Sequence, residues 1–284
     1  MPLTPSSNAL CPSPPQAAAK TPSSQRFHHI AADVSEPGYG AALLAAATAW
    51  NGGRTPDVVW QVAGMSTPLL WTDEAALAAC RRNMDVNFWG AAELAHAVFR
   101  AWTSSSSSPA PPPRSPPRQL IFTASSAAFF AVAGYGPYSP SKWAMRALAD
   151  TLAQEALLFP NHPVRVRVVY PGTTLSPGFE RENTTKPAIT TQLEKDDPRQ
   201  TPDEAAASIL KGLRAGHHYV TVSYLGELMR LGVLGGSIRN NWVYDIIGAW
   251  IAALAWIFVQ PFIHGEIRGF AKKHGHPDTY AKKT

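Results

Sequence analysis

Residues 133–144 read AGYGPYSPSKWA, with Tyr138 and Lys142 four positions apart in small, apolar and prolyl company. On a helix such positions lie one turn apart on the same face. Pro140, between them, has no N–H and is tolerated only where a helix has just begun. The pair is therefore predicted at a helix start, close to the end of the preceding strand. A free tyrosine, with a pKa of about 10, is a poor acid–base catalyst at neutral pH. An adjacent ammonium favours the phenolate and is expected to bring that pKa toward the working range. Such a phenol can give a proton to a carbonyl oxygen as hydride arrives at its carbon.

Working outward, the pattern is regular. FHHIAAD (27–33) reads as a short strand ending in Asp33, and GYGAALLAAATAWNG (38–52) as an Ala-rich helix closed by Asn51-Gly52. DVVWQVAG (57–64) is an apolar run ending in glycine and is expected to be a buried strand. Residues 72–102 are long enough for one or two helices, with Thr72 as the expected N-cap. RQLIFTASSAAF (118–129) and VRVRVVYPG (164–172) read as two more strands, separated by a helix from about Pro140 to Leu158. Alternating strands and helices of this kind predict an α/β fold with a parallel sheet covered on both faces. Ligands of such sheets bind at the carboxyl ends of the strands. That rule aligns Asp33, Gly64, Ser125 and Pro171-Gly172 along one edge.

Composition narrows the function classes. A chain of 284 residues, 45% of them hydrophobic, can bury one sizeable core or two small ones. Many of its 26 prolines fall in residues 1–25 and 103–118, stretches without apolar period that are expected to be unstructured. The first has no continuous apolar segment behind a basic start, so it does not read as a signal peptide. Two cysteines, Cys11 and Cys80, make no disulfide framework and fit a reducing compartment. The net charge of +5 is scattered, apart from RGFAKKHGH near the C-terminus, which argues against nucleic-acid binding and for a solvated or membrane-facing basic surface. His28-His29, His217-His218 and the HGH at 274–276 have no Cys, Asp or Glu at ligand spacing, so no metal site is expected.

Near the C-terminus, Ile246 to Val259 form an uncharged apolar run bounded by Asp245 and Gln260. The run is shorter than the roughly 20 residues that span a bilayer. Trp242 at its edge, Trp250 and Trp256 within it, and Arg268, Lys272 and Lys273 beyond it suit association with a membrane, spanning or lying in the interface. A core helix or a dimer contact is the alternative.

A Tyr-x-x-x-Lys pair alone is common on helices, but three features accompany this one. Ser125 ends a predicted strand upstream of Tyr138, Asn87 sits in MDVNFWG on an otherwise apolar stripe, and YPGTTLSPG follows the next strand. Together Asn87, Ser125, Tyr138, Lys142 and Pro171-Gly172 resemble the short-chain dehydrogenase/reductase family from about residue 27 to residue 215. The resemblance implies a Rossmann-like, doubly wound parallel sheet. It implies Tyr138 as proton donor, Lys142 lowering its pKa and holding the nicotinamide ribose, Ser125 orienting the carbonyl, and Asn87 holding a water that links Lys142 to solvent. Asp33 would lie beside the adenine, and Gly64, Pro171, Gly172 and Ser176 would contact the dinucleotide. Where the family usually reads Asn-Asn-Ala-Gly, this chain has QVAG, with Gln61 in place of an asparagine.

SPGFERENTTKP (176–187) and the apolar C-terminal segment narrow the resemblance to the 3-ketodihydrosphingosine reductases of the sphingolipid pathway, the fungal type in particular. That family reduces the ketone of 3-ketosphinganine to sphinganine with NADPH at the endoplasmic reticulum membrane. The implied active site faces the cytosol and the implied partners are a sphingoid-base ketone and membrane lipid, with room for a homo-oligomer. A loop carrying Phe179, Glu180, Arg181 and Glu182 suits a long-chain amino alcohol. Residues 1–26 contain no glycine, so the family's glycine-rich turn and first βαβ unit are expected to be missing, with weakened NADPH binding as the consequence. The expected organisation is a leader over 1–26, a reductase domain over 27–225 with an insertion at 103–118, and a membrane-associated segment over 226–284. Reduction of another lipid carbonyl, and a non-catalytic truncated homologue, remain the alternatives.

Overall fold

The computed structural model describes residues 26–104 and 116–277. The expectations for the leader, for Cys11 and for the centre of the 103–118 insertion fall outside them. Thr103 and Arg118 themselves belong to regular structure, the last residue of a helix and the first of a strand.

The chain enters through a turn at Asp33 and forms α1 (Tyr39–Trp50), closed at Asn51 with Gly52 at positive φ. β1 (Val58–Gln61) follows, then α2 (Ala76–Asn83), a wide π-helical turn (Met84–Trp89) and α3 (Gly90–Thr103) in one unbroken run. β2 (Arg118–Thr123), α4 (Ser139–Glu155) and β3 (Val164–Tyr170) complete the centre. Short strands β4 (Thr173–Thr174) and β5 (Arg199–Gln200) pair with each other around α5 (Pro177–Thr185) and α6 (Ala188–Leu193). The chain then runs through α7 (Pro202–Arg214), β6 (Tyr219–Thr221), α8 (Tyr224–Gly232) and the long α9 (Trp242–His274). The main sheet has the order β1-β2-β3-β6, all parallel.

Both faces of the sheet are covered, as continuous apolar strands require. Leu120 and Phe122 of β2 and Val166, Val168 and Tyr170 of β3 point to one face and pack against Val98 and Trp102 of α3, Met145 of α4 and Leu231 of α8. Ile121, Val169 and Val220 point to the other and meet Ile209 of α7. Trp102 is fully buried, and its indole N–H donates to Pro56 O at 2.9 Å, as a buried indole demands.

Several expectations are corrected. Residues 27–33 form no strand, because no described strand lies beside them to complete a ladder, and Phe27 stays exposed. The run at 57–64 yields only four strand residues at the sheet's edge, with Val58 52% exposed, so it is not a buried strand. Thr72 caps nothing: α2 starts at Ala76, and Asp73 Oδ1 accepts from Ala75 N at 2.8 Å in the turn before it. The boundary expected near 225 falls inside α8, whose Leu231 belongs to the main core.

The apolar run 246–259 is the middle of a 33-residue helix, about 50 Å long at 1.5 Å per residue. Among the described residues it is the one helix long and apolar enough to cross a membrane. Its N-terminus is fixed by a buried ion pair. Arg230 of α8 donates to Asp245 Oδ1 at 2.6 Å and to Glu227 Oε1 at 2.6 Å, and Asp245 also accepts from Asn240 N at 2.8 Å. Further along, Gly248 admits Leu231 and Ala252 is fully buried. Removing one partner of a buried pair leaves an uncompensated charge, so Asp245→Ala should lower the unfolding free energy by about 3–5 kcal/mol in urea titration. A loss below about 1 kcal/mol, the range of an exposed pair, would show that α9 is not held through this contact.

Candidate active site

The carboxyl ends of β1, β2 and β3 open into a cavity of about 700 Å³. Gly64, Ser125, Tyr138, Lys142, Pro171, Gly172 and Ser176 all line it. Asp33 does not. Its carboxylate is exposed and accepts from Ser35 N at 2.9 Å and Ser35 Oγ at 2.6 Å, bonds that hold its pKa below the usual carboxylate value. The sequence grouped it with the strand ends because it was read as a strand terminus, and that strand is not formed.

Tyr138 is the residue immediately before α4, and Pro140 lies in the first turn, as the spacing predicts. Lys142 is one turn on, 4% exposed, and its Nζ donates to Thr123 O at 3.2 Å, the last carbonyl of β2. Burial pushes its pKa down from 10.5 to about 8. The folded state therefore carries a cost at neutral pH that is relieved as pH rises from about 8 toward the unfolded value of 10.5. Tyr138 does not show the expected depression. Burial raises its pKa above the ordinary value, a hydrogen bond with Ser125 works in the opposite direction, and the charges of Glu182 and Glu194 raise it further. The ammonium lies 5.7 Å from the ring centroid and is turned to the Thr123 carbonyl. The phenol is thus held protonated.

Asn87 sits in the π-helical turn, fully buried. Its Oδ1 accepts from Met65 N at 2.8 Å, and its Nδ2 donates to Met65 O and Ser141 Oγ, each at 2.9 Å. Ser141 Oγ donates in turn to Tyr138 O at 2.8 Å. The amide therefore fastens the segment after β1 to the start of α4. It also explains Gly64, where an added Cβ would fall 3.2 Å from both Asn87 Oδ1 and Lys142 Nζ. Gln61 is the last residue of β1 and donates to Ala91 O at 3.1 Å, a packing contact with α3.

Ser125 caps the 3₁₀ turn Ser126–Ala128 by accepting from Ala127 N at 3.2 Å. Ser126 also borders the cavity, and its backbone N–H is spent on Pro171 O. Ser176 is the N-cap of α5, accepting from Phe179 N at 3.3 Å, so the segment 177–185 is a helix rather than a loop.

The outer wall carries residues that sequence reading missed. Tyr135 OH donates to Glu182 Oε1 at 2.6 Å, and buried Lys186 pairs with Glu182 at 2.8 Å and Glu194 at 2.6 Å. Asp197 completes this wall, its pKa raised to about 6 by burial and by Glu194. Tyr135 stood three residues before Tyr138 in the opening stretch, and Lys186 closes the TTKP signature. Their pairing with Glu194 could not be read from spacing.

The chain resembles known proteins along most of its length. It is 55% identical to the 3-ketodihydrosphingosine reductase gsl-3 of Neurospora crassa, over 94% of this chain and 74% of that one. It is 36% identical to the 3-ketodihydrosphingosine reductase ksrA of Aspergillus fumigatus, over 91% and 73%. In fold it is similar to a short-chain dehydrogenase from Streptomyces avermitilis, with a TM-score of 0.58 at 21% identity over 78% and 79% of the two chains. A short chain dehydrogenase from Burkholderia cenocepacia, solved in complex with NADP, gives a TM-score of 0.56 at 19% identity over 73% and 76%. The short chain dehydrogenase family itself matches residues 11–187, and the chain belongs to it.

Proposed function

We propose that this chain reduces the ketone of 3-ketosphinganine to sphinganine with NADPH, a step of sphingolipid synthesis. The observation that carries the reading is the convergence of a protonated Tyr138, Ser125 and a buried Lys142 at one strand-end cavity. The names of the two fungal relatives supply the substrate.

The residues at the nicotinamide end fit the cofactor. An ammonium has three N–H donors, and the hydrogen bond that Lys142 makes among the described residues uses one, at Thr123 O. The remaining donors suit ribose hydroxyls, and the bare α-carbon of Gly64 leaves room beside them. When bound, NADPH supplies the hydride for the carbonyl carbon. Ser125 Oγ holds the carbonyl oxygen, and the Tyr138 phenol gives that oxygen its proton. The phenolate so formed lies beside the Lys142 ammonium, whose pKa of about 8 lets it return a proton at neutral pH.

The cavity also matches the substrate's two ends. Three carboxyl groups, Glu182, Glu194 and Asp197, outnumber the two cations Arg181 and Lys186 on one wall, which suits the ammonium beside the ketone, and Phe130, Val132 and Met229 form an apolar part. Around the outside, Trp250, Leu254, Ile257 and Phe258 of α9 are all more than 60% exposed, as a lipid-facing surface would be. The helix nonetheless touches its own globular body from Asp245 through Ala252 to Phe270, and Gln192 of α6 donates to Glu266 Oε2 at 2.9 Å. A helix held to the body near both of its ends suits a position lying in the membrane interface. Placement on the cytosolic face of the endoplasmic reticulum follows from the family resemblance.

Incubating the purified chain with 3-ketosphinganine should consume NADPH and yield sphinganine. In Tyr138→Phe the turnover should fall about 10²–10⁴-fold with NADPH affinity nearly intact, because only the proton donor is lost. Activity of that variant close to the parent's would remove Tyr138 from the reaction, and reduction of amine-free lipid ketones alone would transfer the reading to another lipid carbonyl. Gly64→Ala should push aside Lys142 Nζ or Asn87 by a few tenths of an ångström and lower kcat/KM about tenfold. Thermal unfolding of that variant should stay at the parent's temperature.

A further inference from the structure

We infer that the substrate's alkyl chain leaves the catalytic cavity between Phe130 and Met229 and runs over Trp256 onto the exposed face of α9, making the last helix part of the substrate site. The inference rests on the proposed reduction of a long-chain 2-amino-3-ketone and adds the path of its tail.

The cavity is polarised, and this decides the direction. A space of about 700 Å³ must hold the reacting carbons, the polar head and the nicotinamide end of the cofactor, so a long tail needs a way out. Toward α5 and α6 the wall carries Arg181, Glu182, Lys186, Glu194 and Asp197, and the Lys186 ammonium lies over the Phe179 ring there, 5.0 Å from its centroid. Methylene groups laid there would strip water from charged side chains. Toward α8 the wall is Phe130 and Met229. Phe130 stacks on Trp256, with ring centroids 5.2 Å apart and planes 17° apart. Trp256 is seated against α8 at Gly232, where any Cβ would collide with the indole. Beside it on the helix, Ile257 is exposed to solvent. An apolar path thus leads from the reacting centre through one aromatic stack to the edge of the surface proposed to meet lipid. Each methylene that leaves water for such a surface changes affinity about fourfold.

The test compares kcat/KM of the full chain in lipid nanodiscs for 3-ketosphinganine and for a water-soluble homologue with its tail cut to a few methylenes. Trp256→Ala and Phe130→Ala should each lower the long-to-short ratio about fifteenfold, the equivalent of losing contact with two methylenes. Trp256→Phe should keep the ratio within about twofold of the parent's, since the stack survives. Turnover of the short homologue reports that a variant is folded. Phe130→Ala, which leaves the seat at Gly232 in place, carries the test alone if Trp256→Ala does not fold. An unchanged ratio in a folded alanine variant overturns the tail route while leaving the reductase reading intact. A parent that reduces neither compound overturns that reading, and the route with it.

Discussion

The Lys142 ammonium is 4% exposed, and a charge withdrawn from water must be met by oxygen atoms or given up. Three chain segments converge to hold it. β2 ends with the Thr123 carbonyl aimed at Nζ, Gly64 in the segment after β1 has no side chain to stand in the way, and the π-helical turn brings Asn87 alongside. A parallel sheet provides this convergence because consecutive strands end on the same edge, so that the loops after β1, β2 and β3 face one another. The depressed pKa of the lysine follows from that enclosure, and its unused donors are what a ribose could satisfy.

The rest of the molecule is arranged around the same edge with opposite chemistry on its two sides. α5 and α6 bring Glu182, Lys186 and Glu194 into a mutually paired cluster that keeps Tyr135 hydrogen-bonded one turn before Tyr138. α8 and α9 bring apolar surface, tied down by the Arg230–Asp245 pair. A second polar cluster braces this side. Asp150 of α4 accepts from Ser237 Oγ at 2.6 Å and from the Tyr219 hydroxyl at 2.5 Å, and Arg146 donates to Val233 O at 2.6 Å. The loop leading into α9 is therefore bound to the same helix that presents Tyr138 and Lys142. The cavity and α9 thus share one support.

Much of this was legible in the sequence, and the failures have physical causes. Tyr138, Pro140 and Lys142 predicted a helix start because proline and helical spacing act locally, and Ser125 and Gly64 followed from apolar runs that end in polar or small residues. Phe27–Asp33 looked like a strand from composition, yet a strand exists only with a neighbour to pair, and local sequence cannot supply one. Asn87 was found as a polar residue on an apolar stripe, but its partner, the Met65 backbone, is set by a π-helical turn that no local periodicity announces. The shift of the Tyr138 pKa was misjudged because residue spacing shows charge proximity and not burial, and here burial prevails. Lys186, Glu194 and Asp197 come together across two helices and a turn, beyond the reach of any motif.

Lys142 is a buried ammonium whose proton is loosened by enclosure at the strand ends. Its titration can be followed directly by NMR of the side-chain Nζ and Cε in cofactor-free protein, with Lys142→Arg fixing the resonance assignment. Enclosure should place the transition of this lysine near pH 8. Titration at the ordinary lysine value of about 10.4 would mean that Lys142 is solvated, and would contradict the arrangement on which the site depends.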